Sequence, residues 1–146
     1  MDTATAYELV HFRGDSIHPE VGQHDLRILF AEVVARLPED VQDWLLYETD
    51  HVFIGGSGQG GEFFELRRRP SEMKDGFINI RIIFLSEQLA EKPKDEALWT
   101  VAHEIAHSRL NHDDGGFDVE VEADRLAQEW GFKEPEGRAA ERERYK

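Results

Sequence analysis

The stretch VAHEIAHSRLNH, Val101 to His112, holds three of the seven histidines of the chain. His103 and His107 are four residues apart, so on a helix their imidazoles lie one turn above each other and can reach a common point. Glu104, one position on, is rotated away from that point. It is placed to touch a water on a metal held there without ligating the metal itself, which is what a general base requires. Zinc at such a site brings the pKa of its water towards neutrality and polarises a carbonyl, while Glu104 takes the proton and later passes it to a leaving amine. The competing reading is a helix that carries two half-buried, solvated histidines and no metal.

A catalytic zinc needs a third protein ligand. A metzincin-type site takes it six residues after the second histidine and needs a glycine three residues after that histidine to turn the chain. Here the glycine position is Leu110 and the ligand position is Asp113, with His112 one residue short of it; His112 is expected to cap or flank the helix end, where a cation suits the dipole. The better candidate lies in EVEAD, on the next helix. Glu120 and Asp124 are four apart and share a face, so Glu120 can complete the metal set while Asp124 orients an imidazole from behind. Glu122 is its rival, about 200° around the same helix. Asp124, four residues on from Glu120, favours Glu120 over Glu122.

These residues must be positioned by the elements around them. DEALWTVAHEIAHSRL reads as a helix capped by Asp95, with Leu98, Val101, Ala102, Ile105 and Ala106 on its apolar face. Asp118 precedes a second helix in which Val119, Ala123, Leu126 and Trp130 form a stripe and Gly131 the stop. The short NHDDGGFD link makes the two helices antiparallel neighbours. Upstream, Leu26, Leu29, Phe30, Val33, Val34 and Leu37 fall at amphipathic helical spacing from His24 onward, Pro38 interrupts them, and PEDVQDWLLYE offers a further helix. AYELVHF at 6–12 reads as a short strand and RGDSIHPEVGQ as loop. HVFIGG (51–56) and EFFELRR (62–68) read as strands joined by a glycine loop. That loop fails as a Walker A motif, because Gly61 and Glu62 stand where Lys and Ser/Thr belong. In FINIRIIFL (77–85), Ile78, Ile80, Ile82 and Phe84 alternate with Asn79 and Arg81, as in a half-buried strand.

VAHEIAHSRLNH followed by EVEADRLAQEWGF resembles the gluzincin class of zinc metallopeptidases, and most closely the small minimal zincins, the ImmA/IrrE-type peptidases and the core of the M48-type peptidases. The likeness covers residues 77 to 132. It implies His103, His107 and Glu120 as zinc ligands, Glu104 as catalytic base, Asp124 behind the ligands, and a strand at 77–85 bordering the cleft, where an extended peptide could add to it. The chain departs from those families at Asn111, where ImmA/IrrE-type proteins often carry a histidine. It also lacks their helical DNA-binding module and the membrane spans typical of M48-type enzymes.

Composition sets the outer bounds. A chain of 146 residues with 40% hydrophobic content suits one domain, here 1–133, with a polar tail at 134–146 that is loose or marginally helical. With 17 Lys and Arg against 31 Asp and Glu, a formal charge of −14 disfavours nucleic acid and anionic membrane as partners. Without cysteine there is no disulfide framework or thiolate site, so a metal must be held by imidazole and carboxylate, a set with an open water position that favours zinc. No signal-like or membrane-length apolar run occurs, and a cytoplasmic protein is expected.

The expectation is an α+β fold: a minimal zincin-like domain with N-terminal helices, a small mainly antiparallel sheet, the motif helix and a following ligand helix. The expected function is zinc-dependent hydrolysis of a peptide bond in a peptide or protein substrate, with Arg109, His112, His51 and Tyr7 as candidate oxyanion donors. The alternative function is a catalytically silent zincin-fold binding or regulatory module.

Overall fold

The computed structural model describes residues 1–10, 12–13, 26–56, 61–68, 78–112 and 115–146. All of the expected loop at 13–23 beyond Arg13, the first two residues of the helix expected from His24, the tip of the glycine loop at 57–60 and Asp113 lie outside the described residues. Among the described residues no helix is long and apolar enough to cross a membrane.

The first element is a helix, α1 (Thr3–Leu9), where the sequence suggested a strand beginning at residue 6. Asp2 explains the difference. Its carboxylate accepts a hydrogen bond from the Thr5 backbone N–H at 2.7 Å, satisfying a donor that the first helical turn leaves unpaired. Helix α2 (Leu26–Arg36) follows, and all six residues of the expected stripe, from Leu26 to Leu37, are buried. Pro38 separates it from α3 (Glu39–Asp43), which continues into a π-helical turn at Trp44–Glu48. Thr49 closes that turn twice onto the Trp44 carbonyl, through its N–H at 3.1 Å and its hydroxyl at 2.9 Å. The buried Gln42 amide donates to the Val34 carbonyl at 2.8 Å, pairing one of the acceptors left over at the end of α2.

The strand backbones are β1 (Phe12–Arg13), β2 (Asp50–Gly56), β3 (Gly61–Arg68) and β4 (Ile78–Ser86), in the order β1-β2-β4-β3. Both β1–β2 and β2–β4 are parallel, and β3–β4 alone is antiparallel. The α+β expectation with a small mainly antiparallel sheet is therefore overturned: among the described residues the fold is mostly helical, with six α-helices. Among the residues whose side chains are described, the buried apolar core is drawn from the helices, from the turns that join or end them and from Ile83 of β4. The mainly antiparallel expectation failed for a separate reason, since β4 enters between β2 and β3, and strands on either side of a glycine loop are not made neighbours by their alternation alone. The faces of β4 also differ from expectation. Ile83 is fully buried among the helices and Arg81 reaches the end of α4, so the face shared by Arg81 and Ile83 is turned to the helical body.

A 3₁₀ turn at Glu87–Glu91 leads to α4 (Lys94–Arg109), which packs against α2, α5, β3 and β4. Its N-cap is Pro93, and Asp95, expected as the cap, sits in the first turn, where its charge suits the dipole. From Ala97 to Ser108 only Thr100 escapes full burial, so α4 is buried nearly all round instead of along one stripe. Helix α5 (Phe117–Glu129) starts after Gly116 and ends near Gly131, whose φ of 92° suits glycine. Its deepest face is Glu120, Ala123, Asp124 and Ala127, two apolar and two ionisable positions. Residues 134–146, expected as a loose or marginally helical tail, carry α6 (Arg138–Arg142), which begins after Gly137 at φ 83° and turns a buried Arg138 towards α5.

Candidate metal centre

Helix α4 presents His103 and His107 on one side, one turn apart, with their Nε2 atoms 2.9 Å from each other. Glu120 meets them from α5: its Oε2 lies 3.2 Å from His103 Nε2 and its Oε1 3.4 Å from His107 Nε2. All three residues are buried, and together they could hold a metal ion. The separations bear on the fit. Ligand atoms at tetrahedral positions about 2.0–2.1 Å from one ion are about 3.3 Å apart. The two Nε2 atoms at 2.9 Å and Glu120 Oε1 at 3.4 Å from His107 Nε2 lie near that edge, so this donor set suits one small divalent cation.

The chain reversal between α4 and α5 makes this meeting possible. Asn111 adopts φ 58°, a left-handed conformation that asparagine tolerates, and the His112 N–H bonds the His107 carbonyl at 3.0 Å. A glycine was therefore not needed for the turn at this end of the helix. Arg81 fixes it from the sheet, donating to the Ser108 carbonyl, to Ser108 Oγ at 3.2 Å and to Asn111 Oδ1 at 2.9 Å. His51 Nε2 and Ser108 Oγ are 2.7 Å apart, and Thr49 Oγ1 and His51 Nδ1 are also 2.7 Å apart. The strands thus hold the last turn of α4 in place.

Behind the three ligand candidates stands a polar frame. Asp124 Oδ1 lies 2.7 Å from His103 Nδ1. Arg138 joins Asp124 to Glu120: its Nε donates to Asp124 Oδ2 at 2.8 Å, and its Nη2 to Glu120 Oε2 at 2.7 Å and Asp124 Oδ1 at 3.1 Å. Arg142 adds a bond to Asp124 Oδ2 at 2.6 Å and another to Glu134. On the far side of His107, its Nδ1 is 3.0 Å from His112 Nδ1, and His112 Nε2 is 2.9 Å from Glu122 Oε2. If His107 ligates through Nε2, its Nδ1 carries the proton and donates to His112, which in turn donates from Nε2 to Glu122.

Charge and burial are strongly coupled here. Burial disfavours the His103 imidazolium, yet the Asp124 and Glu120 carboxylates outweigh it and raise its pKa to about 9. Burial pushes Glu104 up against the opposing pull of His103 and His107. Burial also works against the Glu120 carboxylate, but His103 and His107 hold its pKa below the ordinary range. Asp124 is held at about 2, its burial outweighed by His103, Arg138 and Arg142. Burial and the nearby Glu120 charge raise the Tyr145 phenol.

Glu104 itself is 7% exposed, and its Oε1 is 3.9 Å from His103 Nε2. It sits beside the cluster without joining the three ligand candidates. Glu122, the rival third ligand, is more than half exposed and reaches His112 instead. His112 flanks the helix end as expected and also backs His107, a role its position in sequence did not suggest. Of the other proposed oxyanion donors, Arg109 lies over the Trp44 ring at 4.9 Å, His51 is engaged by Thr49 and Ser108, and Tyr7 is stacked under Arg27 at 4.0 Å. Arg138 went unnoticed in the sequence. The signal for it was indirect: Glu104, Glu120 and Asp124 on facing helices call for a buried cation, and Lys133, Arg138, Arg142, Arg144 and Lys146 all follow α5. Comparison with protein-family models, curated proteins and solved structures finds no match to this chain.

Proposed function

We propose that the chain is a zinc-dependent peptidase of gluzincin type, acting in the cytoplasm on a peptide or a specific protein partner. The observation that carries this reading is the meeting of His103, His107 and Glu120 at mutual distances that suit one ion, with a buried carboxylate, Glu104, at its side. Two imidazoles and one carboxylate are a donor set that favours zinc and leaves a coordination place free. When bound, zinc supplies Lewis acidity, which acidifies a water and polarises a substrate carbonyl.

The remaining work falls to the chain itself. Glu104 accepts the proton of the attacking water at its carboxylate and delivers it to the departing amine. Its burial, which raises its pKa, brings a carboxyl group closer to the neutral range in which it can both accept and return a proton. Asp124 holds the His103 ring through Nδ1, and His112 holds His107 from the opposite side. So small a domain has little surface to line several subsites, which favours a narrow substrate range.

The deciding experiment compares the wild type with Glu104→Gln for both zinc content and cleavage of a peptide library. A peptidase retains its zinc in the variant and loses turnover by roughly 10²–10⁴-fold. A wild type that holds zinc and cleaves nothing in the library is instead a silent metal-holding module, and the peptidase reading fails.

A further inference from the structure

The cradle contains a cation of its own, the guanidinium of Arg138, placed against the ligand carboxylate. We propose that Arg138, from the C-terminal helix α6, is a positioning residue that restricts Glu120 to a single bond with the metal and so preserves the coordination place a water needs. The inference rests on the reading of this cradle as a metal site.

Glu120 has two oxygens that could both close on an ion. Oε2 lies 3.2 Å from His103 Nε2 but is engaged by Arg138 Nη2 at 2.7 Å, which favours Oε1, 3.4 Å from His107 Nε2, as the oxygen that meets the ion. The guanidinium is not free to follow Oε2 onto the metal, because Nε and Nη2 also bind the two oxygens of Asp124 at 2.8 and 3.1 Å. Asp124 is in turn held by His103 Nδ1 at 2.7 Å and by Arg142 at 2.6 Å. A closed circuit results, in which His103, Asp124, Arg138 and Glu120 fix one another. Only a planar fork can serve both carboxylates at once; an ammonium is a point charge without that geometry. Burial strengthens the restraint, since the Arg138 side chain is 9% exposed and water does not compete freely for Oε2.

Cobalt(II) reports the outcome, because its visible absorption is intense when four-coordinate and weaker when a fifth ligand is present. Metal-stripped wild type, Arg138→Met and Arg138→Lys are titrated with cobalt alone, and circular dichroism confirms that each is folded. The wild type is expected to give the intense four-coordinate spectrum. Arg138→Met frees Oε2 and loses that intensity, while Arg138→Lys, able to reach one carboxylate at a time, falls between the two. If Arg138→Met does not fold, the Lys variant decides, and intensity equal to wild type overturns the proposal. A five-coordinate wild-type spectrum overturns it as well. Cobalt bound with the same spectrum in every variant sinks the role of Arg138 and leaves the metal site standing; a wild type that takes up no cobalt removes both.

Discussion

Entry of zinc into the cradle must expel a proton, and the structure gives the scale of the effect. His103 is raised to about 9 by Asp124 and Glu120 despite its burial, so near pH 7 the metal-free protein carries a proton on this ring. A ligating nitrogen cannot keep that proton. The gap between pH 7 and 9 costs about 3 kcal/mol at ~1.36 kcal/mol per pH unit, so apparent zinc affinity at pH 7 falls roughly a hundredfold below that of the neutral ring. Because the pKa is raised, the penalty grows by ~1.36 kcal/mol for each pH unit below about 9 and fades as pH rises through that value. Titration calorimetry at pH 7 in buffers of different ionisation enthalpy measures the release directly. About one proton per zinc is expected from His103. Asp124→Asn, which removes the carboxylate 2.7 Å from Nδ1, should release less. A binding enthalpy that is the same in every buffer would refute the reasoning, as would an unchanged release in the variant.

Two further outcomes follow from the neighbours of the cradle. His112→Ala removes the acceptor 3.0 Å from His107 Nδ1 and should weaken zinc binding about 10–100-fold in a chelator competition, whereas unchanged affinity would show that His112 does not orient the ligand. His51 is lowered to about 4 by burial and by Arg81, so the unfolded chain binds more protons between that value and 6.5. The stability this neutral ring contributes above pH 6.5 is lost as pH falls towards 4, up to about 3 kcal/mol and about 2 kcal/mol by pH 5. Denaturant unfolding at pH 7 and pH 5 checks this against His51→Gln, and equal losses in the two proteins would contradict it.

The parts of the site that could be read from sequence are those set by local geometry. His103 and His107 are four residues apart on one helix, and Asp124 singles out Glu120 over Glu122 by the same spacing. The α2 stripe was legible for a like reason. What remained hidden depends on contacts distant in sequence. Nothing in the alternation of residues 78–86 says that β4 lies between β2 and β3, or that Ile83 with Arg81 faces the helices. Arg138 is eighteen residues from Glu120, in a segment whose composition reads as a polar tail, and only packing reveals that it balances two buried carboxylates. Helix α1 differs in kind, because its N-cap at Asp2 is a local signal that the sequence does carry.

Metal analysis of metal-stripped protein reconstituted with zinc and then desalted is the most direct test of the site. One zinc per chain is expected in the wild type, lost when Glu120 is replaced by alanine and equally when His103 or His107 is. A wild type that retains no zinc, or zinc that survives all three substitutions, would contradict the joint ligation on which the proposed chemistry depends.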